Sequence, residues 1–320
     1  KINLDNPTDS RLVVRLRSEF HNCWTDCPSD ATTMQTAIEN FASGIVPDAV
    51  DPNLVISKAM TLADGIVASG GNRYEANQIA LWEFKSGQGS IAFDTSGVDP
   101  AIDLTISGDV EWVGGYGINI RSGKAQGSTA NSRKLYDTIT TTGEYAIEAW
   151  VAPGNVTQEE AYIISYSGSD ATRNFTLGQT LYNYDAFNRS STTDENGTPA
   201  LSTADADEDL QATLQHVVVN FDPVNGRSIY VNGVFTDDID PEAGGDIGSW
   251  RNNFAFVLGN ETSGNRQWQG VIRQVAIHNR VLTPEQIVQN FDVGVGEKFY
   301  LLFYLGEHIT TVPEPYLLFE

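Results

Sequence analysis

Short runs in which apolar and polar residues alternate recur from about residue 79 to residue 278. Alternation at every second position is typical of β-strands with one buried face. The clearest pair of runs is 216–221 and 229–231, separated by Asn225-Gly226, and Asn-Gly supplies the positive-φ residues of a hairpin turn. Because short strands follow one another without long helices between them, the pattern predicts an all-β sandwich or barrel.

Helical spacing replaces this alternation near both ends. Leu12, Leu16 and Phe20 recur at helical intervals, and so do apolar residues from Met34 to Ile45 after the cap signal at 29–30, with Gly44 as a stop. The pattern therefore predicts a small α-helical segment before the β-rich body.

A closing helix is predicted after the last strand. Thr283 is an N-cap, Pro284 occupies the first turn and Gln286 completes a capping box, while Gly294 marks the end. We predict three parts: a helical segment at 1–76, the β-rich domain at 77–296 and an apolar tail at 297–320. The strand character at 317–319 indicates a longer parent chain with further domains.

Charge narrows the classes of partner. The 320 residues carry a net charge of −23, which repels nucleic acid and anionic lipid and favours divalent cations. No run approaches the roughly 18 apolar residues that a membrane-spanning helix needs. Sequence alone therefore predicts neither a nucleic-acid partner nor a membrane span.

Cys23 and Cys27 are the two cysteines. Their spacing is not that of a haem-attachment motif, and two thiols with His21 make a poor zinc site. The spacing predicts a short disulfide, and hence an oxidising compartment.

The sequence lacks the usual signs of an active site. Glycosidases on sandwich folds need two carboxylates flanking the bond, commonly from a Glu-x-Asp-x-Glu strand, and that motif is absent. Glu144 and Glu148 share a strand face four residues apart, and His216 has no nucleophile motif beside it. We predict that Glu148 and His216 are structural and that the protein is not an enzyme.

Four landmarks, in order, resemble the laminin-G-like jelly rolls of the concanavalin A-like lectin and glucanase type. They are 80–84 with 94–97, the strand Glu144-Tyr-Ala-Ile-Glu-Ala-Trp-Val151, the hairpin at 215–233, and the last strand with the closing helix at 268–287. The resemblance implies a concanavalin A-like jelly-roll β-sandwich in a bacterial protein that is secreted, periplasmic or at the cell surface.

Calcium is a candidate cofactor, although the sequence departs from the family at one position. Members often carry an acidic residue in the last strand that helps to hold calcium, and Arg273 occupies the corresponding region here. We expect Arg273 to pair with Glu83 or Asp94. The candidate calcium ligands are Asp94, Ser96 and Asp103, and a second acidic group is Asp205, Asp207 and Asp209.

The polar loop from Tyr182 to Arg189, which is rich in aromatic residues, is the candidate recognition surface. If it is extended, Tyr182 and Tyr184 lie on one side and form a stacking platform, while neighbouring amides and charges contact hydroxyls. The predicted ligand-binding residues are Tyr182, Tyr184, Asp185, Asn188, Arg189, Trp250 and Arg251.

These observations favour a non-catalytic recognition domain that binds a glycan or an extracellular protein. A second interpretation is a structural or assembly domain of a larger surface protein. Because the stretch from His21 to Cys27 resembles segments of bacterial proteins that bear c-type haem upstream, that parent protein is a candidate for haem association. A glycan-active enzyme on the same fold is the third.

Overall fold

In a computed structural model of the protein, the structure describes residues 2–4, 6–19, 23–44, 73–296, 305, 309 and 311 in full, with only the backbone of 56–62, 298–304 and 316–319. The chain divides into two units, Asn72–Gly296 and the pair of segments Lys1–Gly71 and Glu297–Glu320.

Strands dominate the described residues. In chain order they are β1 (Ile56–Leu62), β2 (Gln78–Trp82), β3 (Ile91–Ala92), β4 (Leu104–Trp112), β5 (Ile118–Gln126), β6 (Tyr145–Pro153), β7 (Ala161–Ser169), β8 (Thr172–Thr180), β9 (Asn183–Asn188), β10 (Leu201–Ser202), β11 (Gln215–Asp222), β12 (Gly226–Val231), β13 (Val234–Phe235), β14 (Ala255–Leu258), β15 (Gly270–His278), β16 (Lys298–Tyr304) and β17 (Tyr316–Phe319).

The smaller unit combines helices with a three-stranded sheet in the order β1-β16-β17. Its helices are a 3₁₀ turn at Pro7–Asp9, α1 (Arg11–Arg17) and α2 (Cys27–Ser43), so the predicted helical segment is confirmed. The cap of α2 is Asp26, whose side chain accepts from Ser29 N, rather than the predicted residues 29–30. Phe20 and Ile45 lie outside the described residues.

The predicted disulfide is present in this unit. Cys23 and Cys27 are bonded, with their Cα atoms 5.2 Å apart. The loop that it closes is also held by α2, because the Asp30 carboxylate accepts from Trp24 N at 2.6 Å and Thr25 N at 2.9 Å. Among the described residues, no helix is long and apolar enough to cross a membrane.

The larger unit is a curled antiparallel sheet whose two halves face each other. Its strands follow the order β10-β9-β8-β7-β14-β5-β15-β6-β11-β12-β13, with β2 beside β15, β4 beside β5 and β3 beside β4. Rings from strands that are not neighbours meet in the core: Tyr145 of β6 stacks on Phe175 of β8 at 5.2 Å, and Trp82 of β2 on Phe256 of β14 at 4.5 Å. The predicted all-β jelly-roll sandwich is confirmed.

The predicted hairpin is formed by β11 and β12. Val217 pairs with Val231 and Val219 with Ile229, and these side chains are buried in the core together with Ile147. Gly226 has φ +80°, and a Cβ there would lie 2.6 Å from an Asp240 oxygen, so the turn requires glycine. Asn225 does not share the positive φ; it binds the Asp222 carboxylate instead.

Val219→Ala should lower the free energy of unfolding by about 2–3 kcal/mol, since it removes two methyl groups and leaves a cavity between facing strands. Chemical denaturation of the intact chain measures this. Val234→Ala, on the exposed strand β13, is the matched control and should change little. Equal effects of the two variants would mean that the buried face of β11 is misassigned.

Two helices accompany this sheet. The closing helix α4 (Pro284–Val293) has the predicted capping box between Thr283 and Gln286. The helix α3 (Thr129–Thr142) was not predicted from sequence, although Ser128 caps it and Gly143 ends it with φ 77°. Its apolar residues Leu135 and Ile139 enter the core.

Candidate functional site

The predicted recognition segment is a strand, β9, rather than a loop, and this changes which side chains face solvent. Successive residues of a strand point to opposite faces. Tyr184, Ala186 and Asn188 therefore enter the core. Tyr184 is 0% exposed and donates its hydroxyl to Gln215 Oε1 at 2.9 Å. The predicted stacking platform is wrong for Tyr184, because its ring is inside the sandwich.

Two further predicted ligand-binding residues are buried, Asn188 by the same alternation in β9 and Trp250 by packing from a segment outside the strands. Asn188 accepts the Tyr145 hydroxyl at 3.1 Å. Trp250 packs among Tyr145, Tyr166 and Phe175 and donates its indole N–H to Arg189 O at 2.7 Å. Their polar atoms hold the core together and do not face solvent.

Of the remaining predicted residues, Tyr182 and Arg251 are at least partly exposed and Asp185 and Arg189 are buried. Arg189 and Arg251 meet at one carboxylate. Arg189 Nη2 lies 3.2 Å from Glu195 Oε1, and Arg251 Nη2 lies 3.5 Å from the same atom. Arg251 is 55% exposed at its side chain, whereas Arg189 is enclosed. Tyr182 is half-buried against the core. A binding role for these residues stays a prediction.

The outward face of β7, β8 and β9 carries a cluster that was not predicted from the sequence. Tyr162 and Phe187 lie 5.8 Å apart between ring centroids, and the guanidinium carbon of Arg173 lies 4.6 Å from the first ring and 5.1 Å from the second. Arg266 approaches Tyr162 from a neighbouring loop at 5.7 Å. We call these four residues the arginine–aromatic cluster. The strand alternation at 161–165, which separates Tyr162 from the core residues, was the available signal.

Asp185 lies on the same face, directly across the pairing from Gly178. Burial raises the pKa of its carboxyl group, and hydrogen bonds from Ser202 and Thr180 oppose that rise. On this face Tyr162, Arg173 and Asp185 are buried, while Phe187 and Arg266 are partly exposed.

A second polar cluster surrounds Glu148 on the other half of the sheet. The carboxylate pairs with Arg73, and its Oε1 lies 3.0 Å from His216 Nε2. Its Oε2 lies 3.3 Å from His278 Nε2 and accepts Asn290 Nδ2 at 2.8 Å. Burial alone would raise the pKa of Glu148, but Arg73 and the two histidines hold it well below its usual value. The carboxylate is therefore ionised, and each histidine donates its Nε2–H.

This arrangement supports the predicted structural role of Glu148 and His216. Glu148, His216, His278 and Asn290 are all buried, and Phe291 of α4 stacks over His216 and Trp150. Both carboxylate oxygens are already paired. Glu144, the other candidate carboxylate, pairs at the surface with Arg280 at 3.3 Å.

The first candidate calcium site holds a lysine ammonium. Asp94 Oδ2 lies 2.7 Å from Lys134 Nζ and accepts Ile102 N at 3.0 Å, while Oδ1 accepts Leu81 N and Ser96 N. Asp103 accepts the backbone N–H of Asp94, and the Ser96 hydroxyl donates to Ile79 O. The Lys134 ammonium thus balances the charge of the Asp94 carboxylate.

Arg273 does not pair with a carboxylate as expected. Its Nη1 donates to the carbonyl oxygens of Gly114 and Tyr116, in the turn between β4 and β5. Glu83 pairs instead with Lys85 at 3.1 Å. The reason is geometric, since Arg273 projects from β15 beside the end of β5.

The second acidic group does not form a shared metal shell. Among the residues that the structure describes, no three His, Cys, Asp or Glu side chains are arranged to hold a metal ion. Asp205 accepts Asn183 Nδ2. Burial, followed by the charges of Asp238 and Asp207, raises the pKa of Asp209 to about 6. Calcium binding stays a prediction.

The chain belongs to the concanavalin A-like lectin/glucanases superfamily, whose laminin-G family model matches residues 123–288. This agrees with the jelly-roll sheet and with the order of the landmarks in the sequence. No curated protein sequence matches the chain.

Several solved structures share the fold at low identity. A botulinum neurotoxin type C structure, concerning cell entry dependent upon interaction with two ganglioside molecules, has 15% identity and a TM-score of 0.52 over 68% of this chain and 51% of that one. The binding domain of botulinum neurotoxin DC in complex with SialylT has 16% identity and a TM-score of 0.50, over 68% and 52%. A Trypanosoma rangeli sialidase in complex with 2,3-difluorosialic acid has 15% identity and a TM-score of 0.50, over 83% and 40%. The chain therefore matches about half the length of the toxin domains, and the likeness is one of fold.

Proposed function

We propose that the protein is a non-catalytic recognition domain that binds a glycan on the outward face of β7, β8 and β9. The observation that carries the proposal is the arginine–aromatic cluster beside Asp185. Aromatic rings cover the apolar face of a sugar, while charged and polar groups bind its hydroxyls. Phe187 supplies a partly exposed ring that packs beside the buried Tyr162, and Arg266 supplies a partly exposed donor.

The relatives in fold support a glycan as the class of ligand. The toxin structures concern gangliosides and SialylT, and the sialidase structure contains a sialic acid derivative. Because identity is low, their individual binding residues do not transfer to this chain.

The absence of catalysis in this proposal rests on the state of the carboxylates. Glu148 is enclosed and fully paired, and Glu144 is paired with Arg280 at the surface. Neither faces the proposed sugar-binding face, which belongs to the other half of the sheet. The disulfide and the strongly acidic composition fit an extracellular location, on a secreted or cell-surface protein.

A glycan array screened with the intact chain, followed by calorimetry on the best ligand, tests the proposal. Phe187→Ala removes a half-buried ring of the cluster and should weaken binding about fivefold or more, the value of one aromatic contact. Phe235→Ala is the matched control, because Phe235 is 40% exposed on β13 at the other end of the strand order.

Two results would contradict the proposal. One is an array on which no glycan binds. The other is a folded Phe187→Ala variant that binds like the parent. If Arg251→Ala alone weakens binding, the ligand lies at the Glu195 end of the sheet instead, where Arg189 and Arg251 meet.

A further inference from the structure

We infer that Arg173 is the binding residue for the carboxylate of an acidic sugar. This inference rests on the proposed glycan-binding function and names the class of glycan. Its basis is an enclosed guanidinium group that lacks an ionic partner within the described part of the chain.

Arg173 makes very few polar contacts for a buried arginine. The side chain is 0% exposed, and Nη2 donates to Asp170 O at 2.7 Å. Nε and Nη1 are both buried, and neither has a hydrogen-bond partner among the described residues. Two of the three nitrogen atoms of the group are therefore unsatisfied.

Arg227 shows how this protein satisfies an enclosed arginine when the role is structural. Its Nε and Nη2 donate to the two oxygens of Asp240, and its Nη1 donates to Ala186 O and Pro199 O. Every nitrogen of the Arg227 guanidinium is paired. Arg173 and Arg227 are both buried, so burial does not account for the missing partners of Arg173.

The missing partner is notable because carboxylates are abundant in this chain. It contains 42 acidic residues against 19 lysines and arginines. Burying a charge without a partner is costly, and such groups are normally paired. The planar fork of a guanidinium group matches a carboxylate through two parallel hydrogen bonds. A ligand carboxylate would satisfy the free donors of Arg173.

The surroundings of Arg173 fit a sugar that carries this carboxylate. The Arg173 guanidinium contacts the rings of Tyr162 and Phe187, and Phe187 is only half-buried, so its ring connects the enclosed charge with the surface. Arg266 brings a second guanidinium group to Tyr162, and its buried Nε also lacks a partner among the described residues. Because the Arg266 side chain is 28% exposed, it can change rotamer without disturbing the core.

Calorimetry on the intact chain with 3′-sialyllactose, a glucuronide of lactose and unmodified lactose tests the inference. The two acidic sugars should bind at least about tenfold more tightly than lactose. Arg173→Met should abolish this preference. Arg173→Lys keeps a charge but loses the fork, and should reduce the preference severalfold. Arg133→Met is the control, because that arginine is exposed on α3, and it should retain the full preference.

The outcomes separate this inference from the proposed function. If lactose binds as tightly as the acidic sugars, or if folded Arg173 variants keep the preference, the role of Arg173 is overturned while glycan binding stands. If no sugar binds and the array is also blank, the proposed function itself fails. Should Arg173→Met not fold, Arg173→Lys decides the matter, with circular dichroism and residual lactose binding as its folding controls.

Discussion

Glu148→Gln should lower the free energy of unfolding by about 3–5 kcal/mol, the cost of removing one partner of a buried ion pair. The substitution leaves Arg73 enclosed without its counter-charge. It also leaves His216 and His278 facing an amide that can accept on one side only. Urea denaturation of the intact chain at neutral pH measures the loss.

The same variant should also change how the free energy of unfolding depends on pH in the acidic range. Because the folded pKa of Glu148 lies well below the unfolded value, ionised Glu148 stabilises the fold fully above the unfolded pKa of about 4.3. That contribution disappears as the pH falls through the folded pKa. The difference in stability between parent and variant should therefore narrow steadily below about pH 4.3.

Glu144→Gln is the matched control, because Glu144 pairs with Arg280 at the surface and such pairs contribute about 1 kcal/mol at most. A Glu148→Gln variant no less stable than Glu144→Gln would show that the cluster under α4 is not electrostatically coupled to folding. A constant difference between parent and variant down to low pH would contradict the depressed pKa.

Lys134→Met should cost about 3 kcal/mol or more of unfolding free energy, because it leaves the enclosed Asp94 carboxylate without its cation. Burial alone would raise the pKa of Asp94, and hydrogen bonds from Ile102 and Lys134 instead hold it below its usual value. Thermal and urea unfolding of the intact chain measure the effect.

Lys85→Met provides the comparison, since Lys85 pairs with Glu83 in a partly exposed position and should cost little. Millimolar calcium distinguishes the two interpretations of Asp94. If the ammonium of Lys134 replaces the metal, calcium leaves the melting temperature of the parent unchanged at this site. A calcium-dependent rise that Asp94→Asn abolishes would reverse that interpretation.

Features encoded in a few consecutive residues were predictable from the sequence. The β11–β12 hairpin depends on alternating Val residues and Gly226, and the start of α4 depends on the capping box of Thr283 and Gln286. Each signal lies within a short stretch of consecutive residues. Local spacing alone is therefore enough to identify the closing half of the jelly roll.

The candidate sites were harder, because distant residues create them. Lys134 and Asp94 are 40 positions apart, and His278 and Glu148 are 130 apart. Neither pairing can be recognised from the spacing of residues along the chain. The error at Tyr184 has a related cause: its polar neighbours indicated a loop, whereas hydrogen bonding to β8 makes the segment a strand and turns the ring inward.

The pairing of Arg73 with the end of α4 bears on how such a domain is transferred between proteins. Arg73 Nη2 donates to Gly294 O at 2.7 Å, and Tyr74 N donates to Asn290 Oδ1 at the same distance, so the first described residues of this unit lie beside its last helix. In the other unit, the strands on either side of this segment, β1 and β16, pair with each other. A module whose two ends meet can be inserted into a loop of a host domain without separating the host strands. We therefore expect that the jelly roll can be removed as one segment. A short turn joining β1 directly to β16 should then leave the sheet of the other unit intact.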